Sequence, residues 1–101
     1  ELGLMRAKAY GQKECFEAGV TFGKQEGIIP APEANHAVKG VMDAALECKE
    51  KGESKTILFN LCGHGHFDMT AYQAYFDNKL ADDVFEEERV NKALANLPNV
   101  E

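Results

Sequence analysis

The segment Thr56-Ile57-Leu58-Phe59-Asn60-Leu61 restricts the fold more than any other stretch of the chain. Its apolar residues are continuous rather than alternating, and turn residues bound it. A short run of this kind reads as a strand buried on both faces, as in a parallel sheet with helices on each side. Cys62-Gly63-His64-Gly65-His66 follows it directly. No second stretch among the 101 residues is an equally strong strand candidate. One strand is not a sheet, so its neighbours are expected in sequence outside these residues or in another chain. A lone strand of this type also favours pairing with a second copy.

Four helical stretches surround this run. Between about Gln12 and Gln25, the residues Cys15, Phe16, Gly19, Phe22 and Gly23 recur at helical spacing. Glycines four residues apart let another backbone approach closely, and Gly27 is a stop signal. Ile28-Ile29-Pro30-Ala31-Pro32-Glu33 is a rigid connector, because each proline holds the residue before it extended. A second helix is expected from Glu33 or Ala34 to about Lys51. Its apolar face is Ala34, Ala37, Val38, Val41, Met42, Ala45 and Leu46, and Gly52 closes it. Thr70 with Gln73 forms a capping-box pattern for a short helix through Phe76. A fourth helix is expected over Glu86 to Asn96. Helices, a buried strand and a glycine loop together indicate the α/β class, with about four helices around one buried parallel-type strand.

Composition narrows the partners. The net charge of −6 argues against nucleic acid and against an anionic membrane. No apolar run approaches the ~20 residues of a membrane helix, and no signal peptide is visible. Cys15, Cys48 and Cys62 form no paired framework and read as thiols in a reducing cytoplasm. The opening Glu1-Leu2-Gly3-Leu4 has neither an initiator methionine nor linker character, as expected of an excised piece.

The glycine loop is the first candidate for chemistry, since ligands of open α/β sheets bind beyond the carboxyl ends of strands. A tight turn that needs glycine for its own sake explains the loop equally well. Cys62, His64, His66 and Asp68 are all metal-ligand types, but they crowd at every second position, unlike a structural zinc site. No metal is therefore expected. A catalytic pair of Cys62 with His64 or His36 is disfavoured, because a thiol at a strand end is more often packed. Glu33 sits on a stiff corner that suits a site residue, although an acid in a first helical turn explains it without one. His36 fits a half-buried helix position. Asp82, Asp83, Glu86, Glu87 and Glu88 read as a solvated face.

The residues also carry a resemblance. Glu26-Gly27-Ile28-Ile29-Pro30-Ala31-Pro32-Glu33, followed by His36-Ala37, resembles the proline corner and helix start of the tryptophan synthase β-chain family. Phe59-Asn60-Leu61-Cys62-Gly63-His64-Gly65 resembles that family's strand and cofactor loop. His-Gly in the loop, with Asp68 and Tyr72 downstream, is similar to the second β-chain subgroup. So are the approach from Ala9-Tyr10 to Phe16-Glu17-Ala18 and the ending Leu97-Pro98-Asn99-Val100-Glu101. The resemblance extends over essentially residues 1–101.

It implies the C-terminal part of a fold type II pyridoxal-phosphate lyase that joins L-serine and indole into L-tryptophan and water. It implies cofactor contacts from Cys62, Gly63, His64, Gly65 and Glu33. The residue at the Cys62 position would hydrogen-bond the pyridine nitrogen, and Glu33 would line the pocket beside the ring. It further implies a homodimer and leaves room for weak contact with an α-subunit. The family usually has serine where this chain has Cys62, and a thiol is the weaker hydrogen-bond partner. That keeps a serine or threonine dehydratase open as an alternative, alongside a non-enzymatic binding or assembly module. The family's Schiff-base lysine, phosphate loop and catalytic glutamate lie in earlier sequence, and no lysine here sits in a matching motif. The piece alone is expected to be inactive, with no catalytic residue of its own, and to hold the cofactor weakly or not at all.

Overall fold

The computed structural model describes residues 2–82 and 87–95. Among these, four helices follow one another: α1 over Gln12–Glu26, α2 over Pro32–Lys51, α3 over Met69–Phe76 and α4 over Glu87–Leu94. Of the helix limits read from sequence, Glu86 and Asn96 lie outside the described residues. The proline connector sets the start of α2. Ala31 is extended at the N-cap and Pro32 takes the first helical position, where a missing N–H leaves no bond unmade. Both α1 and α2 end at a left-handed glycine, Gly27 and Gly52.

Helices α1 and α2 pack along the stripe expected from sequence. Cys15, Phe16, Ala18 and Gly19 are buried on α1, and Ala34, Asn35 and Val38 on α2. Helix α3 closes over the same core, with Phe16 meeting Tyr72 edge-on at 5.1 Å and stacking on Tyr75 at 5.7 Å. The apolar face of α2 then runs out of partners. Val41 and Met42 are half-buried, while Ala45 and Leu46 are exposed.

The buried strand does not form. Among the described residues no strand is present, and the one β-bridge joins Pro30 and His64 in antiparallel sense. Over residues 56–61 burial alternates. Ile57, Phe59 and Leu61 are half-buried, whereas Thr56, Leu58 and Asn60 face solvent, with Leu58 97% exposed. Such alternation is what the two sides of an extended chain show. Phe59 rests against Phe22 of α1 at 6.0 Å. One face thus has a helix beneath it, and the other has no covering layer. The described residues are thus mostly helical rather than α/β, because the run has no neighbouring strand to pair with.

Two local readings need correction. Thr70 and Gln73 do not form a capping box. Asp68 is the N-cap of α3, because a turn from Gly65 to Asp68 (2.9 Å, Asp68 N–H to Gly65 carbonyl) starts the helix earlier, and Gln73 bonds forward to Asp77 instead. Asp82 is more than a solvated acid. Its carboxylate accepts from the Lys13 N–H at 3.0 Å, at the N-terminus of α1 where unpaired N–H groups favour negative charge.

Candidate functional site

The proline corner and the glycine loop, some thirty residues apart in sequence, are joined backbone to backbone. Ala31 N–H donates to the Gly63 carbonyl at 3.2 Å, and Gly65 N–H donates to the Ile29 carbonyl at 2.8 Å. The two segments read separately as candidate site elements therefore form one junction. Gly63 has φ of 103°, a conformation few residues with a side chain adopt. Gly65 is required for a different reason. A Cβ there would lie 2.6 Å from the Pro30 carbonyl oxygen and 3.0 Å from the Tyr72 ring. Packing within the chain accounts for Gly65 without any ligand.

Cys62 and Glu33 flank this junction. The Cys62 thiol is free and exposed, at the entry to the loop. Glu33 is exposed in the first turn of α2. Neither side chain has a hydrogen-bond or ion-pair partner among the described residues. His64 is exposed, but its Nδ1 accepts from the His66 N–H at 3.2 Å, and its ring lies 4.8 Å from His66 and 5.4 Å from Phe67. Those contacts shape the loop from within. Among the described residues no group of three or more His, Cys, Asp and Glu side chains gathers as a metal site. The His64–His66 pair stands beside Cys62 in sequence without forming one.

Beneath the junction lies a feature that hydrophobic patterning does not reveal. Asn35 is completely buried. Its Nδ2 donates to the Tyr72 hydroxyl at 3.1 Å, and that hydroxyl donates to the Pro30 carbonyl at 2.6 Å. Burial of the Tyr72 phenol comes first in raising its pKa, opposed by the hydrogen bond from Asn35. Gly19 of α1 makes room for the amide, since a Cβ at Gly19 would overlap the Asn35 side chain. The spacing of Gly19 and Gly23 signalled a close approach, and the group that approaches Gly19 is an amide side chain rather than a backbone.

A cavity of about 320 Å³ opens between α1, the corner and α3, walled by Gly19, Val20, Ile29, Met69, Tyr72 and Phe76. It is apolar, and none of Cys62, Gly63, His64, Gly65 or Glu33 lines it. No helix among the described residues is long and apolar enough to cross a membrane.

No family model matches the chain. Curated relatives do. The chain is 60% identical over 78 residues to "Tryptophan synthase beta chain 2" of Methanosarcina mazei, covering 77% of this chain and 18% of that protein. It is 58% identical over 81 residues to "Tryptophan synthase beta chain 2" of Aquifex aeolicus, covering 80% and 19%. The match to "Tryptophan synthase beta chain" of Pyrococcus horikoshii is 50% over 96 residues, covering 95% and 20%. The similarity takes in only part of those proteins: the chain spans about a fifth of the length of the curated relatives it matches. The chain belongs to the tryptophan synthase β-chain family.

Proposed function

We propose that these residues are the C-terminal part of a pyridoxal-phosphate-dependent tryptophan synthase β chain, and that they supply the wall facing the pyridine nitrogen of the cofactor. The observation that carries this reading is the bonded junction of residues 29–31 with 63–65, flanked by a thiol and a carboxylate left without partners. Those two groups are chemically apt for a pyridine ring. The thiol is a weak donor or acceptor for a ring nitrogen, and the carboxylate is a charge beside it. When bound, the cofactor supplies electron withdrawal for elimination of the serine hydroxyl and addition of indole.

The chain's own residues hold and orient that ring. Cys62 would hydrogen-bond the ring nitrogen without protonating it, which would moderate the withdrawal. Gly63, with φ of 103°, turns the backbone between Cys62 and His64. Glu33 stands on a helix start whose position the two prolines fix. The chain alone carries no cofactor anchor and is inactive; the full-length parent works as a homodimer in the cytoplasm, where its thiols stay reduced.

Assays of the full-length parent with L-serine, with and without indole, test the reaction. Tryptophan formed only with indole supports it. Pyruvate from serine with no tryptophan would favour the dehydratase reading, which Cys62 in place of the usual serine keeps open. Cys62→Ser should retain cofactor binding, while Cys62→Ala should weaken it. A gene that begins at or near Glu1 and encodes no lysine-bearing segment would favour an assembly module instead.

A further inference from the structure

We propose that Asn35 and Tyr72 are positioning residues, whose buried hydrogen-bond chain to the Pro30 carbonyl holds Glu33 and Cys62 at a fixed separation. The inference rests on the cofactor-wall reading given above and adds two residues to it. The Pro30 carbonyl oxygen is the hub. Tyr72 donates to it, and Gly65 is pressed against it too closely for any side chain. Asn35 supports the Tyr72 hydroxyl from below, in a space that Gly19 vacates. The chain of contacts therefore runs through α1, α2, α3, the corner and the loop.

Each end of the hub is close along the backbone to a cofactor-facing residue. Asn35 follows Glu33 on the same turn of α2, and Gly65 follows Cys62 within the loop. A fully buried amide is unfavourable unless bonded, and an apolar pair of similar size would fill the space. Hydrogen bonds add direction, which apolar packing lacks. That direction sets how the loop sits on the corner. Neither Asn35 nor Tyr72 lies at the exposed thiol or the exposed carboxylate, so their action on the ring is indirect.

The test uses the full-length parent with pyridoxal phosphate bound, comparing the native chain with Tyr72→Phe, which removes only the hydroxyl. Hydrogen exchange is read in peptides covering residues 28–33, 62–67 and 37–45, together with cofactor affinity from its absorption. Loss of one hydrogen bond at the hub should speed exchange at Ala31 and Gly65 on the order of tenfold. Exchange in residues 37–45 should not change, and cofactor affinity should fall. Should Tyr72→Phe fail to fold, Asn35→Ser, smaller and still a donor, gives the same local pattern at reduced size. Unchanged exchange at Ala31 and Gly65, or equal acceleration in all three peptides, overturns the positioning role. Cys62→Ala and Glu33→Gln separate the two levels. If they leave cofactor affinity intact, the wall reading fails and the positioning role falls with it. If they weaken it while Tyr72→Phe does neither, only the positioning role fails.

Discussion

The corner at Pro30 and the run Thr56–Leu61 are joined through the glycine loop and are opposite in condition. At the corner Asn35, Tyr72 and the Pro30 carbonyl bond to one another, two backbone bonds tie the corner to the loop, and α1, α2 and α3 close around it. Along the run, one face rests on α1 and the other ends in a bare Leu58. The same chain therefore contains a finished unit and an unfinished one. The finished unit depends on local turns and helix pairs that these residues supply to each other. The unfinished one depends on strand neighbours that they do not. A relative five times longer has room for those neighbours, and mutations placed in each region test the difference.

The largest effect is expected at Leu58. In the full-length parent, Leu58→Ala should destabilise by about 2–5 kcal/mol, the range for a buried leucine. In the 101-residue chain it should change stability by under about 0.5 kcal/mol, as for an exposed site. Chemical denaturation of both proteins measures the pair, and equal effects would abolish the contrast between the two regions. The bare edge also predicts self-association of the short chain, reduced by Leu58→Lys. Light scattering that finds a strictly monomeric, folded native chain at all concentrations would count against it.

Gly19→Ala comes next, because overpacking against Asn35 should cost about 1–3 kcal/mol. Adding Asn35→Ala should recover part of that loss, a coupling that a double-mutant cycle reads directly. Strictly additive losses would mean that Gly19 is not there to admit the amide. Gly63→Ala should cost about 1–2 kcal/mol through its left-handed backbone alone, without disturbing the packing below.

The smallest effect is electrostatic. The hydrogen bond from Lys39, at 2.8 Å, holds the Asp43 carboxyl below the usual carboxylate range, and the same bond raises Lys39. A depressed acid stabilises the fold above its unfolded pKa, and that contribution fades as pH falls through its lowered folded value. A raised lysine stabilises below its unfolded pKa, and its contribution fades as pH rises through the raised one. Asp43→Asn should therefore flatten the acid limb of a stability–pH profile slightly and leave the corner unchanged. An undiminished acid limb would assign it to other carboxylates.

How much of this was legible follows from where the information resides. Helix limits were legible because Pro32, Gly27 and Gly52 act locally and the apolar spacing of α1 and α2 is regular. The two site segments were legible as motifs, and nothing local announced that Ala31 and Gly65 would bond across them. Asn35 was missed because a polar residue beside an apolar stripe looks like an interruption; only Gly19, opposite it, left a trace. The capping pattern at Thr70 misled because a turn at Gly65–Asp68 competes with it and wins. The run at residues 56–61 reads in sequence as a strand buried on both faces; among the described residues it forms no strand and one side is exposed, because both strand pairing and burial need partners outside it.

The most direct test is the structure of the full-length parent with pyridoxal phosphate bound. A Cys62 Sγ at a sulfur hydrogen-bond distance of roughly 3.5 Å from the pyridine nitrogen, with Glu33 bordering the same ring and the 31–63 and 65–29 backbone bonds retained, is the result expected. A sulfur directed away from the ring, or a coenzyme bound with no contact to this junction, would contradict it.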